Sequence, residues 1–213
     1  SGVFFRKQDI AVRRNLFMPV NRSVPDVAQK RKNWNGLMSG FKVSDLVFLD
    51  ESGCNTDMTR RYAYSLGGSR AVDSAPLSKP KNTTILSSIQ LDGTLHYTTF
   101  SGGTTVERFK RYLETDLLPH LNGNSVLIMD NMKSHHAKAV KNLLDSSEIR
   151  YIYLPPYSPD LNPIEKLWSK VKAFLRKFKA RTLDALPNAI QNAFHAVTVS
   201  DCSGWFRFCG YAL

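Results

Sequence analysis

Three acidic residues stand where acids are uncommon. Asp50 directly follows the apolar run Leu46-Val-Phe-Leu49, Asp130 directly follows Ser125-Val-Leu-Ile-Met129, and Glu165 falls in the first turn of a helical pattern that begins at Asn162-Pro163. Carboxylate oxygens suit hard cations, Mg2+ or Mn2+, whereas thiolates and imidazoles would suit zinc. Mg2+ uses one or two protein carboxylates and takes substrate phosphates as further ligands. Two such ions ~3.5–4 Å apart activate a water or a 3′-hydroxyl and stabilise the leaving oxygen at phosphorus. The formal charge of +11 and the isoelectric point near 9.7 point the same way, toward a polyanion. Nucleic acid is the default partner, because Lys and Arg gain affinity by releasing counterions from phosphates.

Two of these acids also have a plainer reading. Asp50, leaving a buried strand, is either a turn former or a catalytic group. Glu165 stands three residues after Asn162, which can cap the helix, with Pro163 at the first helical position, so it is also placed for a capping box. Glu51 and Asp160 compete with their neighbours. Glu51 would point away from Asp50 along a continuing strand, and Asp160 suits the Ser-Pro-Asp turn. The adjacent His135 and His136 cannot both face one metal, being ~100° apart on a helix.

The elements that must position these groups follow from periodicity. Residues 1–40 are basic and irregular, with Arg6, Lys7, Arg13, Arg14, Arg22, Lys30, Arg31 and Lys32 outweighing Asp9 and Asp26. They read as a linker or arm, with one helix from about Pro25 through Trp34. Leu46–Leu49 is apolar without alternation, as in a strand buried on both faces, and Gly53 is expected to end it. A second strand is expected over Arg60–Leu66 with a turn at Gly67-Gly68, then a loop over 69–82. Thr83–Leu91 and Thr94–Phe100 form a hairpin about Asp92-Gly93. Thr104-Thr-Val-Glu107 opens a helix as a capping box, and Ser134 caps another carrying Ala137, Val140 and Leu144. Arg150–Leu154 is the last strand. Ile164, Leu167, Trp168, Val171, Leu175 and Phe178 then give an apolar helical stripe, with Lys166, Lys170, Lys172, Arg176, Lys177 and Lys179 on the other positions. Trp168 reads as core. Thr182 caps a further helix through Leu183, Leu186, Ile190, Phe194 and Val197. The order describes a mixed α/β sheet: an antiparallel meander plus parallel strands, flanked by helices. Asp50 and Asp130 both fall at the carboxyl ends of strands, the edge where open sheets place ligands. Neighbouring strands lie ~4.8 Å apart, which brings two such carboxylates within reach of one metal site.

Phe48-Leu-Asp50-Glu-Ser-Gly53, Ile128-Met-Asp130-Asn-Met-Lys-Ser-His135 and Leu154-Pro-Pro-Tyr-Ser-Pro-Asp-Leu-Asn-Pro-Ile-Glu165 resemble the three signature blocks of DDE transposases. The branch is the mariner-like superfamily, in particular its bacterial insertion-sequence members. Between Asp130 and Glu165 lie 34 residues, a spacing typical of that group. The resemblance covers roughly residues 46–180 and implies an RNase H-like fold over 41–213. It also implies a metal-dependent polynucleotidyl transferase that cuts transposon ends and joins them to target DNA. It assigns Asp50, Asp130 and Glu165 as ligands of Mg2+ or Mn2+, two ions in all. Asn131 and His135 become groups behind the ligands or against DNA. By position, Arg60, Arg61 and Lys133 on the active-site edge and Lys166 and Lys170 on the helix beside Glu165 are candidates for DNA phosphates. The implied partners are double-stranded DNA and a second copy of the chain. The helix-turn-helix region that such proteins carry before the catalytic core is absent or vestigial in residues 1–40.

Two rival readings remain. One is an RNase H-like nuclease that cleaves without joining. The other is a domesticated, inactive DNA-binding protein, against which the three acids argue, since clustered negative charge only hinders phosphate binding. No small-molecule cofactor is expected. No apolar run approaches the ~20 residues that span a bilayer and no secretory signal opens the chain, so a cytoplasmic location is expected. Cys54, Cys202 and Cys209 make neither a zinc pattern nor a disulfide framework and read as idle thiols. Ser1-Gly2 in place of an initiator Met suggests a piece of a longer protein.

Overall fold

A computed structural model describes residues 25–58, 82–180 and 182–211. Five strands form one mixed sheet among them: β1 (Leu46–Asn55), β2 (Asn82–Ile89), β3 (Leu95–Ser101), β4 (Val126–Met129) and β5 (Arg150–Tyr153). Their order is β3-β2-β1-β4-β5. The first three strands are antiparallel, and β4 and β5 are parallel to β1. Among the described residues six α-helices flank the sheet: α1 (Pro25–Met38), α2 (Val106–Tyr112), α3 (Lys138–Ser146), α4 (Ile164–Phe178), α5 (Ala185–His195) and α6 (Val199–Phe208). This is the mixed α/β architecture expected from the sequence. Among the described residues no helix is long and apolar enough to cross a membrane.

The unbroken apolar run of β1 has a direct explanation. Successive side chains of a strand point to opposite faces. Leu46 and Phe48 join one core with Trp34, Ile128, Leu167, Trp168, Phe194 and Phe206. Val47 and Leu49 join the other, with Phe109, Leu113, Leu127, Met129 and Val140. Helices cover both faces, so both parities must be apolar. The same alternation sends Asp50 to the α4 side and Glu51 to the α2 side.

Several local expectations change. Gly53 does not end the first strand: it pairs with Thr84, and β1 runs on to Asn55. Asp50 is therefore inside a strand, but at the point where its parallel neighbour stops. Thr105, not Thr104, caps α2, accepting from Arg108 N–H. That helix passes into a π-helical turn over Leu113–Leu117. Ser134 caps nothing; residues 133–136 form turns and α3 starts only at Lys138. The hairpin at Asp92-Gly93 forms as expected, with Gly93 at φ 90 and Thr94 N–H on Asp92 Oδ1. The expected strand at Arg60–Leu66, its Gly67-Gly68 turn, the loop after it and the basic residues before 25 lie outside the described residues.

Within the expected arm, residues 25–38 belong to the packed domain. Trp34 and Met38 enter the core of the α4 face, and Trp34 Nε1 donates to Tyr211 Oη at 3.2 Å. Arg31 grips Asp160 with both guanidinium nitrogens, at 3.1 and 2.7 Å, and also bonds Ser158. The charge pattern concealed this because Arg31 looks like one more cation in a basic tract, whereas its side chain is largely covered.

Candidate active site

The site is built where β1 outlasts β4. The two strands pair from Leu46↔Val126 to Leu49↔Met129. Asp50 and Asp130 are each the next residue, so they occupy the same register position on neighbouring parallel strands. Asp50 has the parity of Phe48, facing α4, while Asp130, one residue past the end of β4, bonds His135 through Oδ1 and still lines the cavity. Glu165 comes from the start of that helix. All three line one cavity of about 600 Å3, whose other walls include Asn131, Pro155, Tyr157, Ser158 and Trp168.

The loop before α4 aims Glu165 inward. Asn162 is extended and its carbonyl accepts from Glu165 N–H at 3.2 Å, while Pro163 is already helical. The backbone is thus that of a helix start, as the sequence implied. The side-chain cap is not made: Asn162 is buried with Oδ1 unpartnered, and Glu165 faces the cavity instead of closing a capping box. Lys179, in the left-handed conformation at φ 57, ends the helix.

Asp50 is almost wholly buried, at 8% exposure. Its Oδ1 accepts from Glu51 N–H at 2.7 Å and its Oδ2 from Trp168 Nε1 at 3.3 Å. Burial pushes its carboxyl up to about 7, against the pull of the Glu51 N–H, and the negative charges of Asp130 and Glu165 add to the rise. Glu165 is raised as well, chiefly by desolvation, with Lys172 opposing and Asp130 reinforcing. Asp130 behaves oppositely. Desolvation acts on it too, but hydrogen bonds from His135 and the Met132 N–H, together with the charge of the two histidines, outweigh it and lower the pKa. Neighbouring acids are thereby pushed apart, as happens where like charges share one space.

His135 is fully buried, stacked on Phe109 at 4.2 Å, with Nδ1 2.8 Å from Asp130 Oδ1. Its place is behind the acid, out of reach of a DNA surface. Its Nε2 faces Glu51 Oε2 at 3.9 Å, and Glu51 is raised mainly by burial, with Thr104 and His135 opposing. Glu51 therefore lies on the other face from Asp50, as the strand parity requires. His136 stacks on Tyr153 and holds Asn131 Oδ1 at 3.3 Å, while Asn131 Nδ2 bonds the Leu154 carbonyl. Neither histidine sits in a helix.

Of the expected DNA-contacting cations, Lys133 stands exposed on the loop after Asp130. Lys166 lies over the Phe208 ring at 3.7 Å. Lys170 is paired with Asp201 at the start of α6, an arrangement that fastens two helices. Arg60 and Arg61 lie outside the described residues. Two residues passed over in the sequence belong here. Trp168 is buried as expected of core, yet its indole N–H reaches Asp50. Lys172, seven positions after Glu165 and so on the same helix face, is the cation acting on that carboxyl. The i, i+3 and i, i+7 spacing from Glu165 was the available signal.

Oxygen donors alone face the cavity from these acids, which fits a hard divalent cation. Among the described residues no group of three or more His, Cys, Asp or Glu side chains is placed to hold one metal ion. Mg2+ needs few protein ligands and leaves the remainder to water and substrate, so an open set of acids suits it.

A family model described as DDE superfamily endonuclease matches residues 45–187, a span that includes all three acids. The Tc1 transposable-element transposase of Caenorhabditis elegans is 29% identical over 97 residues, 44% of this chain and 36% of that protein. The Tcb2 transposase of Caenorhabditis briggsae is 31% identical over 75 residues, 35% of this chain and 28% of that one. The matches thus span about a third of those relatives' length. Among solved structures, the Mos1 mariner paired end complex with Mn superposes with a TM-score of 0.77 at 18% identity, over 94% of this chain and 64% of that one. The catalytic domain of Mos1 mariner transposase gives 0.61 at 17% identity, over 85% and 86%. These superpositions establish the RNase H-like fold.

Proposed function

Since the chain belongs to the DDE superfamily endonuclease family, we propose that it is the catalytic core of a DNA transposase, cutting transposon ends and joining them to target DNA. The observation that carries this is the register of Asp50 and Asp130, adjacent on parallel strands and sharing one cavity with Glu165. Burial pushes the Asp50 carboxyl up to about 7, and the charges of Asp130 and Glu165 add to the rise. A divalent cation would offset the charge of the three acids, and DNA phosphate could then enter.

Asp50, Asp130 and Glu165 would hold Mg2+ or Mn2+, two ions in the reading favoured here. Bound there, such ions supply a lowered pKa for an attacking water or 3′-hydroxyl and charge stabilisation at the leaving oxygen. The protein's part is placement. The sheet fixes two acids side by side, Trp168 and the Glu51 N–H orient Asp50, and His135 orients Asp130. Glu165 closes the third side from α4. Support for DNA as substrate comes from the +11 charge and from the relatives, which are transposases, one of them solved as a paired end complex with Mn.

The test uses supercoiled plasmid and a duplex with a free 3′-hydroxyl end, with Mg2+ or Mn2+ and with EDTA. Nicked plasmid and joined duplex, both requiring metal and both lost in Asp130→Ala, are the expected results. Metal-dependent nicking with no joined product would leave an endonuclease. Undiminished activity in Asp130→Ala, or none in the parent, would overturn the assignment.

A further inference from the structure

Glu51 is the acid that the candidate site leaves without a task. Strand parity turns its side chain to the α2 face of the sheet, where Val47 and Leu49 precede it on β1 in an apolar core. Its side chain is only 14% exposed. A carboxyl carried into such a place needs a polar partner. Glu51 Oε2 and His135 Nε2 are both buried without a hydrogen-bond partner among the described residues, and they face each other at 3.9 Å. Thr104, on the loop before α2, meets the same carboxyl from another side.

His135 is already held at two other points. Its ring stacks on Phe109 at 4.2 Å and 26°. Its Nδ1 lies 2.8 Å from Asp130 Oδ1, which also accepts from Met132 N–H at 3.0 Å. The stack fixes the plane of the ring but not its sense. A half-turn about the Cβ–Cγ bond keeps that plane and exchanges each nitrogen for a carbon, and Phe109 has no polar atom that tells the two apart. An oxygen at Nε2 does tell them apart, and what one ring nitrogen meets decides the proton on the other. An N–H donating to the Glu51 carboxylate, or a bare nitrogen accepting from its carboxyl, each leaves Nδ1–H on Asp130. The gap is ~1 Å longer than a hydrogen bond, and contacts of this kind tighten when a site is loaded.

We propose that Glu51 is a positioning residue for the metal-dependent reaction: through Nε2 of His135 it fixes the ring that orients Asp130. The imidazole stands between two carboxyls, one that serves the acid cavity and one that sets the ring from behind. Partners behind a ligand set its orientation and so its hold on the ion. Glu51 also borders the acid cavity, so its role must be separated from direct ligation. The assignment rests on Asp130's being a metal ligand, as proposed above.

The test uses the full 213-residue chain without DNA. Glu51→Met removes the carboxyl and keeps the apolar face filled, while Glu51→Gln keeps an amide that can donate to Nε2 or accept from it. Mn2+ affinity, read from the paramagnetic resonance of the free ion, should fall roughly 10- to 100-fold in Glu51→Met and recover in part in Glu51→Gln. The imidazole nitrogen NMR spectrum of the metal-free protein supplies a second readout, with His135 assigned as the signal missing from His135→Asn. It should show one ring form in the parent, a displaced Nε2 signal in Glu51→Gln, and exchange between ring forms in Glu51→Met. Unchanged His135 signals in either folded variant would overturn the proposal, as would undiminished Mn2+ affinity in Glu51→Met or no Mn2+ binding by the parent. A loss in Glu51→Gln as complete as in Asp130→Asn would make Glu51 a ligand and overturn it too. A parent that binds Mn2+ and shows these ring changes, yet neither nicks nor joins DNA, would sink the transposase reading and leave the role of Glu51 standing.

Discussion

Trp168 Nε1 donates to Asp50 Oδ2 at 3.3 Å, joining α4 to β1 across 118 positions of sequence. The bond favours the ionised carboxyl, in opposition to burial and to the other two acids. Trp168→Phe keeps most of the packing but deletes the donor. A hydrogen bond to a charged group contributes about 1.5–3 kcal/mol, so cleavage at fixed Mg2+ should fall roughly 10- to 100-fold. Part of the loss should return at higher metal concentration or higher pH, both of which favour the carboxylate. A rate and metal dependence equal to the parent's would reduce Trp168 to core packing.

Asp50 should also shape stability against pH in the metal-free protein. Its carboxyl is raised from 3.8 to about 7 on folding, so the native state binds the extra proton. Stability from this group is complete below the unfolded pKa and is lost as pH rises through the folded one. The thermal midpoint of the apo protein should fall between about pH 4 and 7 for this reason. Asp50→Asn should flatten that fall and exceed the parent in stability above pH 7, while abolishing cleavage. Added Mn2+ should stabilise the parent and not the variant. A variant less stable than the parent at pH 8 without metal would contradict the charge account.

Much of this site could be read in advance because its parts are local. An acid directly after an unbroken apolar run, twice, marks the edge, and strand pairing then puts Asp50 beside Asp130. Glu165 was ambiguous for a physical reason: a helix start has the same backbone whether its acid caps or faces a cavity, and only tertiary packing decides. Arg31 and Lys170 were misleading because a cation's partner lies far along the chain, at Asp160 and Asp201. His135 was undecided for the same reason, since burial under Phe109 is a contact between elements. Trp168 followed the apolar period so well that its one polar atom went unused in the sequence reading.

His135 should act on Asp130 rather than on substrate. His135→Ala removes a fully buried ring stacked on Phe109 and the partner of Asp130 Oδ1. Cavity formation and the lost hydrogen bond together should destabilise by about 3–5 kcal/mol. Asp130 carries a lowered pKa, so its contribution exists above the unfolded value and disappears as pH falls through the folded one. The cost of His135→Ala should accordingly be greater at pH 7 than near pH 2, by chemical denaturation. His135→Asn, which retains a donor near the Nδ1 position, should recover part of the metal affinity without the ring. Identical metal titrations for the Ala and Asn variants would remove the orienting role.

The loop that delivers Glu165 is fastened from both ends of the described chain. Arg31 of α1 holds Asp160 and Ser158, while Tyr211 Oη, itself accepting from Trp34, donates to the Leu161 carbonyl at 2.6 Å. Both attachments fall within seven residues before Glu165, and neither touches the acid. Arg31→Met keeps the aliphatic stem but frees the turn. Its effect on stability should be small, about 1 kcal/mol, because Asp160 is partly exposed and the pair is screened. Its effect on cleavage should be larger, about tenfold, since a displacement of ~1 Å in a positioned group is enough for such losses. Tyr211→Phe leaves the buried Trp34 N–H and the Leu161 carbonyl without their partner and should cost about 2 kcal/mol, with a comparable drop in rate. A rate that falls only in proportion to the unfolded fraction would show the clamp to be structural; a rate that falls in a fully folded Arg31→Met would show that the geometry of Glu165 is set from α1.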